Sequence, residues 1–422
     1  MGRRRPQRQA VMETNDARVT AVATRDQVAP GLVEISVVMP CLNEAATLAI
    51  CIRKAQAALS RHKLRGEIIV ADNGSSDGSP AIAVGLGARL IRVSQRGYGA
   101  AIRAGIEAAE GEYVVIGDAD DSYDFSTLND LVTPLRGAAD LVVGNRFKGG
   151  IERGAMPWKH RYIGNPVLTS VGRLLFRVKI GDFHCGLRAV RKEAFEKMQL
   201  RTTGMEFATE MVIKAATRGL RIAEVPTTLH RDGRSRPSHL RPYRDGWRHL
   251  RFMLLFSPRW LFLIPGIALM AVGGVAAALL LTGPKQIAGV GFDISTLLIA
   301  AFMCLLGYQL IIFGLFTKVF AIREGFHSPD FVLARLFRHI TLEVGLLAGA
   351  LLCLLGLAVL ILAFLSWSVK GFGATDPRVT MRTVIPAVVL MALGVQTIFA
   401  SFFLSILDIH TLGWELGGPK PK

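Results

Sequence analysis

At 422 residues the chain is long enough for two domain-sized units, and its formal net charge of +17 first suggests nucleic acid or an anionic membrane surface as a partner. The placement of that charge excludes nucleic acid from the reading: eight Arg and only two Asp fall between Arg231 and Arg259, directly ahead of an apolar stretch, where basic side chains meet lipid head groups. Four stretches without Asp, Glu, Lys, Arg or His, at 260–282, 296–317, 344–369 and 383–407, each exceed the roughly 20 residues that cross about 30 Å of hydrocarbon, and four in succession leave no polar face for a soluble fold.

In chain order, residues 1–32 read as a disordered basic arm, polar and without the apolar run of a secretory signal. Residues 33–236 alternate short β-branched runs with helical stretches, which predicts an α/β domain with a mostly parallel sheet. The strands are expected at 35–39, 67–71, 89–93, 113–117 and 141–144, and the helices at 44–59, 98–109, 126–136, 162–176, 191–198 and 206–218. Residues 237–259 form an amphipathic interfacial region. Within it Tyr243, Trp247, Leu250 and Leu254 fall near one helical face and Arg244, Arg248 and Arg251 near another, as in a helix lying on the bilayer surface. Residues 260–410 hold four transmembrane helices, and residues 411–422 a short tail. Lys318, Arg323, Arg335 and Arg338 follow the second span, whereas the loop after the first holds one Lys and one Asp. The positive-inside rule then places the N-terminal domain, the second loop and the tail in the cytoplasm. Lys370, Asp376, Arg378 and Arg382, in the third loop, fit that rule less well.

In an open α/β sheet, ligands bind beyond the carboxyl ends of the strands, and the polar motifs fall there. Asn43 and Glu44 follow the first strand, Asp72 follows the second, and Asp118 and Asp120 follow the fourth. Carboxylates so close repel one another unless a hard cation bridges them to diphosphate oxygens. The five cysteines show no CxxC pair and are expected as packed thiols; His184 and Cys185 find no second pair at ligand spacing and are read as packing residues too. Gly97-Tyr98-Gly99 lacks the third glycine of a dinucleotide fingerprint, and no GxxxxGK[ST] occurs, which argues against an ATP-driven pump.

Val38-Met39-Pro40-Cys41-Leu42-Asn43-Glu44 resembles the opening strand and Pro-x-x-Asn-Glu turn of family 2 glycosyltransferases with the GT-A fold, a Rossmann-like mostly parallel sheet. Ala71-Asp72-Asn73-Gly74-Ser75-Ser76-Asp77-Gly78-Ser79 is similar to their Asp-Asp-Gly-Ser-x-Asp-Gly-Thr motif, with Asn73 in place of the second Asp. The nearest resemblance is to the dolichol-phosphate mannose synthase and bacterial polyprenyl-phosphate glucosyltransferase group. It implies Mg²⁺ or Mn²⁺ on Asp118 and Asp120, although Ser122 stands where some members have a Gln ligand. It also implies a nucleotide-sugar site that includes Pro40, Asn43, Glu44, Asp72 and Asp118. Gly144-Asn145-Arg146 resembles the group's Gly-Ser-Arg turn, and Arg161 opens the helix that in relatives brings a second Arg to a lipid phosphate. Asp182-Phe183-His184-Cys185-Gly186-Leu187-Arg188 is similar to its Asp-x-x-x-Gly-x-Arg segment. Arg231 to Arg236 is an altered form of its Arg-x-x-Gly-x-Ser-Lys sequence, which implies a diphosphate role for Arg231 and Arg236.

The resemblance therefore implies a multi-pass enzyme of a bacterial plasma membrane, with a sugar nucleotide as donor, a polyprenyl phosphate as acceptor, and spans able to associate into a homo-oligomer. Two guanidinium groups suit the acceptor phosphate because each offers planar, bidentate donors. Two other readings fit less well. A processive polysaccharide synthase would carry Gln-x-x-Arg-Trp, whereas the Arg-Trp here, Arg259-Trp260, follows Phe256-Ser257-Pro258. A transporter or lipid flippase usually keeps ionisable residues inside the bilayer, and none of the four uncharged runs does.

Overall fold

The computed structural model describes residues 20–21, 33–233, 242–323 and 341–415. The chain divides into two compact units, Met1–Leu250 and Arg251–Lys422. Most of the expected arm and the motif residue Arg236 lie outside the described residues; Thr20–Ala21 form a short edge strand, β1.

The first unit is an α/β layer structure. β2 (Ile35–Cys41) is buried along its whole length, as a parallel strand covered on both faces must be. Helix α1 (Leu48–Arg61) returns the chain to β3 (Gly66–Asp72), which pairs parallel with β2 so that Cys41 lies opposite Asp72. The short α2 (Ser79–Gly85) leads to β4 (Arg89–Arg92), and α3 (Tyr98–Ala108) to β5 (Tyr113–Ile116), parallel to β2 on its other side. After α4 (Leu128–Arg136) come β6 (Leu141–Asn145), α5 (Arg146–Gly149) and α6 (Asn165–Phe176). β7 (Arg188–Arg191), α7 (Lys192–Met198), α8 (Phe207–Thr217) and β8 (Ile222–Pro226) complete the domain. The sheet order is β1-β4-β3-β2-β5-β7-β6-β8, with β7 antiparallel to both β5 and β6. Because β7 reverses direction, the carboxyl ends of β2, β3, β5 and β6 and the amino end of β7 share one edge.

Several expected elements change in detail. The helix expected from residue 44 begins at Leu48, since Glu44 to Thr47 form a turn whose Glu44 carbonyl receives both the Thr47 and Leu48 amides. The helix expected at 162–176 is a π turn, His160–Gly164, running into α6, with Pro166 at the start of the regular helix. β7 corrects the reading of Arg191 as a helix start: Arg-Ala-Val-Arg is too short and too charged to signal a strand, yet it fills the sheet between β5 and β6. Three buried thiols, Cys41, Cys51 and Cys185, lie among core residues, as expected of packed cysteines.

α9 (Pro242–Leu255) supplies the expected juxtamembrane helix. Trp247 is exposed, whereas Asp245 and His249, one turn apart, are buried, and His249 Nδ1 is 2.8 Å from Thr209 Oγ1.

Among the described residues of the second unit, four helices are long and apolar enough to cross a membrane: Arg259–Leu281, Ile294–Arg323, Leu342–Val369 and Pro377–Leu407. The first comprises a π turn, Arg259–Leu263, and α10 (Ile264–Leu281). Two strands the sequence did not suggest, β9 (Lys285–Ile287) and β10 (Val290–Phe292), form a hairpin. Its tip, Ala288 and Gly289, has φ of 51° and 80°, the left-handed pair that a two-residue turn requires. α11 (Ile294–Arg323), α12 (Leu342–Val369) and α13 (Pro377–Glu415) follow. Glycines let these helices approach closely: a Cβ on Gly349 would lie 2.7 Å from the Gly394 carbonyl, and one on Gly266 2.8 Å from that of Gly307.

Candidate active site

The shared sheet edge is built first by β2 and β3. Just past β2, Asn43 adopts φ of 58°, a left-handed conformation that Asn tolerates better than most side chains. Its amide donates to Ser75 Oγ at 2.8 Å and its side-chain oxygen accepts from the Ser76 amide at 2.7 Å. Buried Glu44 donates its amide to Ser79 Oγ at 2.9 Å. Asp72, also buried, accepts from the amides of Gly74 and Ser75. Together with Pro80, Arg92, Val93 and Ser94, these last three line a cleft of about 360 Å³. Pro40 is a strand residue paired with Ala71 and does not line that cleft.

Asn73 shows why this chain departs from Asp at its position. Its amide nitrogen donates to the carbonyls of Val93 and Gln95, and its oxygen accepts from the Gly97 amide at 2.7 Å. An ionised Asp could make only the last of these bonds.

At the end of β5, Asp118 Oδ1 accepts from the Tyr98 hydroxyl at 2.9 Å. Burial, then the neighbouring Asp118 carboxylate, hold the Tyr98 phenol well above its usual pKa, so it stays a neutral donor. Asp120 Oδ1 accepts from both the hydroxyl and amide of Ser122, at 2.6 and 3.1 Å. The turn is strapped from outside by Thr47 Oγ1 to the Ala119 carbonyl at 2.7 Å, and by the Gly233 amide to the Asp120 carbonyl at 3.0 Å. Asp121 instead pairs with Lys54 at 2.7 Å. Among the described residues no three His, Cys, Asp or Glu side chains are grouped to hold a metal alone. Two neighbouring carboxylates do fit Mg²⁺ or Mn²⁺, since such ions commonly take one or two carboxylates and complete their shell with substrate phosphate oxygens and water.

The arginines separate into two settings. Arg146 is buried, and its Nε and Nη2 meet the two oxygens of fully buried Asp182 at 2.7 and 2.8 Å. Two of the three nitrogens of the fork expected at an acceptor phosphate are thus engaged by Asp182. Arg161 is half-buried, with Nη1 3.5 Å from the Ile151 carbonyl. Arg231 donates its amide to Glu152 and its Nε to the Arg153 carbonyl. The structure therefore brings Arg161 and Arg231 to one short loop, 151–153, on which both guanidinium groups lean. Sequence reasoning missed Tyr98, whose signal was present in the Gly-Tyr-Gly opening of α3.

Residues 36–199 match the glycosyl transferase family 2 model, and residues 315–408 match that of the glycosyltransferase family 2 C-terminal transmembrane region. The chain belongs to glycosyltransferase family 2 and is a membrane glycosyltransferase. It is 38% identical over 375 residues to the low-salt glycan biosynthesis hexosyltransferase Agl6 of Haloferax volcanii, covering 88% of this chain and 89% of that one. A dolichyl-phosphate hexose transferase of the same organism is 32% identical over 43% of this chain and 77% of its own length. The polyprenol monophosphomannose synthase of Mycolicibacterium smegmatis is 30% identical over 46% of this chain and 76% of its own.

Gly186 lies against the Asp118 carboxylate. A Cβ there would lie 2.6 Å from Asp118 Oδ2, the far end of a side chain that can swing aside without unfolding the domain. Gly186→Ala should leave the melting temperature nearly unchanged while lowering turnover about a hundredfold, the usual cost of misplacing a reacting group by about 1 Å. Wild-type kinetics in that variant would show that Asp118 is not held in place by this contact.

Proposed function

We propose that the enzyme transfers a hexose, with inversion, from a sugar nucleotide to a polyprenyl phosphate at the cytoplasmic face of the membrane. One observation carries this reading: a single sheet edge presents the Asp72 cleft and the Asp118/Asp120 pair, with Arg161 and Arg231 both against the 151–153 loop, in a chain whose described residues include four helices long and apolar enough to cross a membrane. The names of the relatives support it, since they include a dolichyl-phosphate hexose transferase and a polyprenol monophosphomannose synthase. UDP-glucose is the donor we favour, with GDP-mannose next, by resemblance to the bacterial glucosyltransferases.

Asp72 and the amides around it hold the nucleoside end of the donor in the cleft, while the diphosphate role falls to Arg231 and, by resemblance alone, to Arg236, which lies outside the described residues. Mg²⁺ or Mn²⁺ on Asp118 and Asp120 would supply positive charge to the leaving diphosphate oxygens. Arg161 orients the lipid phosphate. One of its oxygens then attacks the anomeric carbon from the face opposite the nucleoside diphosphate; the new C–O bond forms as the bond to the diphosphate breaks. A phosphate monoester is already largely ionised at neutral pH, so no side chain has to remove a proton. Orientation and charge placement thus carry most of the rate. A processive synthase would need a base for a sugar hydroxyl and lacks support from its channel motif here.

Orientation follows from the Arg-rich approach to the first span and the basic loop after the second. The less basic-inside third loop is consistent with it, because Arg378 and Arg382 pair with Asp293 of the first loop, so part of its charge is neutralised on the far side. Tags after Met1 and Lys422 should both report cytoplasm and one at Gly289, the hairpin tip, the opposite side; an externally accessible N-terminal tag would overturn the arrangement.

Chelation of divalent cations should abolish transfer, and Asp120→Asn should lower turnover at least about a hundredfold, from loss of charge stabilisation. Full activity in excess chelator, read by mass analysis of the lipid product, would remove the cation from the reaction.

Arg161→Ala should lose transfer to polyprenyl phosphate while donor affinity, measured by calorimetry, changes by less than about 1 kcal/mol, because Arg161 and Arg231 meet different carbonyls of the 151–153 loop, those of Ile151 and Arg153. Lys at that position should rescue only in part, keeping charge without the planar fork. Weakened donor binding with an intact acceptor requirement would instead assign Arg161 to the diphosphate.

A further inference from the structure

Among the described residues of the catalytic unit, buried polar side-chain atoms are almost all satisfied, and the exceptions belong to His184 and Glu206. Fully buried Arg188 gives its guanidinium to the carbonyls of Phe183, Cys185 and Ala208, and Glu210 accepts from Arg201, Thr202 and Lys214. Among the described residues, four buried side-chain atoms make no hydrogen bond: Nδ1 and Nε2 of His184, Oε2 of Glu206, and Oε1 of Gln396. Three of the four belong to His184 and Glu206. His249, from α9, joins them, with its ring edge-on to His184 at 4.7 Å and Glu206 in its electrostatic surroundings.

Two chain segments connect this cluster to Asp118. Two residues after His184 is Gly186, whose Cα lies against Asp118. On the other side, the segment that carries Glu206 packs on the start of α3. A Cβ on Gly99 would lie 2.8 Å from the Thr202 carbonyl and 2.7 Å from Phe207 Cβ, and the adjacent Tyr98 holds Asp118. A sugar attached to a diphosphate at Asp118 and Asp120 must lie next to that pair. Leaving a buried donor or acceptor unpaired costs about 1–3 kcal/mol, so two such groups in a native core call for a partner.

We propose that His184 and Glu206, braced by His249, form the pocket that recognises hydroxyl groups of the transferred hexose. A hydroxyl both donates and accepts, and so can satisfy a carboxylate oxygen and either nitrogen of a neutral imidazole. Burial, followed by the nearby His249, Arg146 and Arg188, keeps His184 well below its usual pKa and therefore neutral, with one donor and one acceptor nitrogen. His249 contributes by position: anchored to Thr209, it closes the pocket from the helix that leads into the membrane spans. His184 and Glu206 are thus specificity residues for the donor, and the assignment rests on the sugar-nucleotide reading above.

The test uses the full-length purified protein and compares binding of UDP-glucose with UDP, and of GDP-mannose with GDP, by calorimetry in the presence of Mn²⁺. His184→Phe keeps an aromatic ring, larger by one ring atom, and removes both nitrogens. It should weaken binding of the preferred sugar nucleotide at least tenfold, leave the nucleoside diphosphate within twofold, and keep or raise the melting temperature, since an unpaired buried polar group has been removed. Glu206→Gln should show the same split, and His184→Gln should recover part of the loss. Sugar-nucleotide affinity within twofold of wild type in both His184→Phe and Glu206→Gln would overturn the proposal. So would a parallel loss of both ligands with a lowered melting temperature, the mark of a structural role. Failure of the underlying reading is distinguishable, because wild-type protein would then bind no sugar nucleotide at all.

Discussion

Arg146 and Asp182 meet through two parallel hydrogen bonds in a region closed to water, and the working edge of the sheet depends on that pair. Removing either partner strands a charge in the interior, at a cost of about 3–5 kcal/mol, whereas the intact pair adds little net stability because both ions gave up hydration. Its value is therefore geometric. Arg146 follows β6, and Asp182 opens the loop that precedes β7. The pair joins these two segments at the same edge where β2, β3 and β5 end. The Asp182 loop carries His184 past the core and brings Gly186 against Asp118. Asp118 is thus tied to the Arg146–Asp182 pair through the segment from Asp182 to Gly186.

Much of this was legible in the sequence because the signals were continuous. β2, β3 and β5 are apolar runs that end in polar motifs, and the four spans are uncharged over their whole membrane-crossing length. β7 and β8 were not legible: Arg188–Arg191 is flanked by charges, and Ile222–Pro226 is a half-exposed edge strand with an acid in its middle. Their pairing is decided by neighbours far away in sequence, which local propensity does not record. The same limit applied to side chains. Arg146 stands in the right turn for a phosphate ligand, but sequence spacing could not reveal that Asp182 would take up its fork. Asn73, which stands where the motif has its second Asp, is a three-way clamp on the 93–97 loop.

The membrane unit solves a different problem with different residues. In hydrocarbon, apolar side chains gain little from meeting one another, so close backbone approach has to supply the attraction. Gly349 against Gly394 and Gly266 against Gly307 provide it. The charges are confined to the helix ends, where Asp293 receives Arg382 and, at 3.7 Å, Arg378. That ion pair links the loop after the first span to the start of the fourth, and so fixes which ends of two sequence-distant helices belong to the same side.

The burial of the catalytic unit's thiols has a practical side. Desolvation pushes Cys41 up to about 11 and Cys51 and Cys185 up to about 12, so at neutral pH almost none of their thiolate form exists. Electrophiles and oxidants act on thiolates, which leaves these three positions chemically silent. A cysteine introduced on the surface of this unit would then be the group in it that a maleimide dye finds, so of the native thiols only half-buried Cys304 and Cys353 of the membrane unit need replacing before fluorophores are attached.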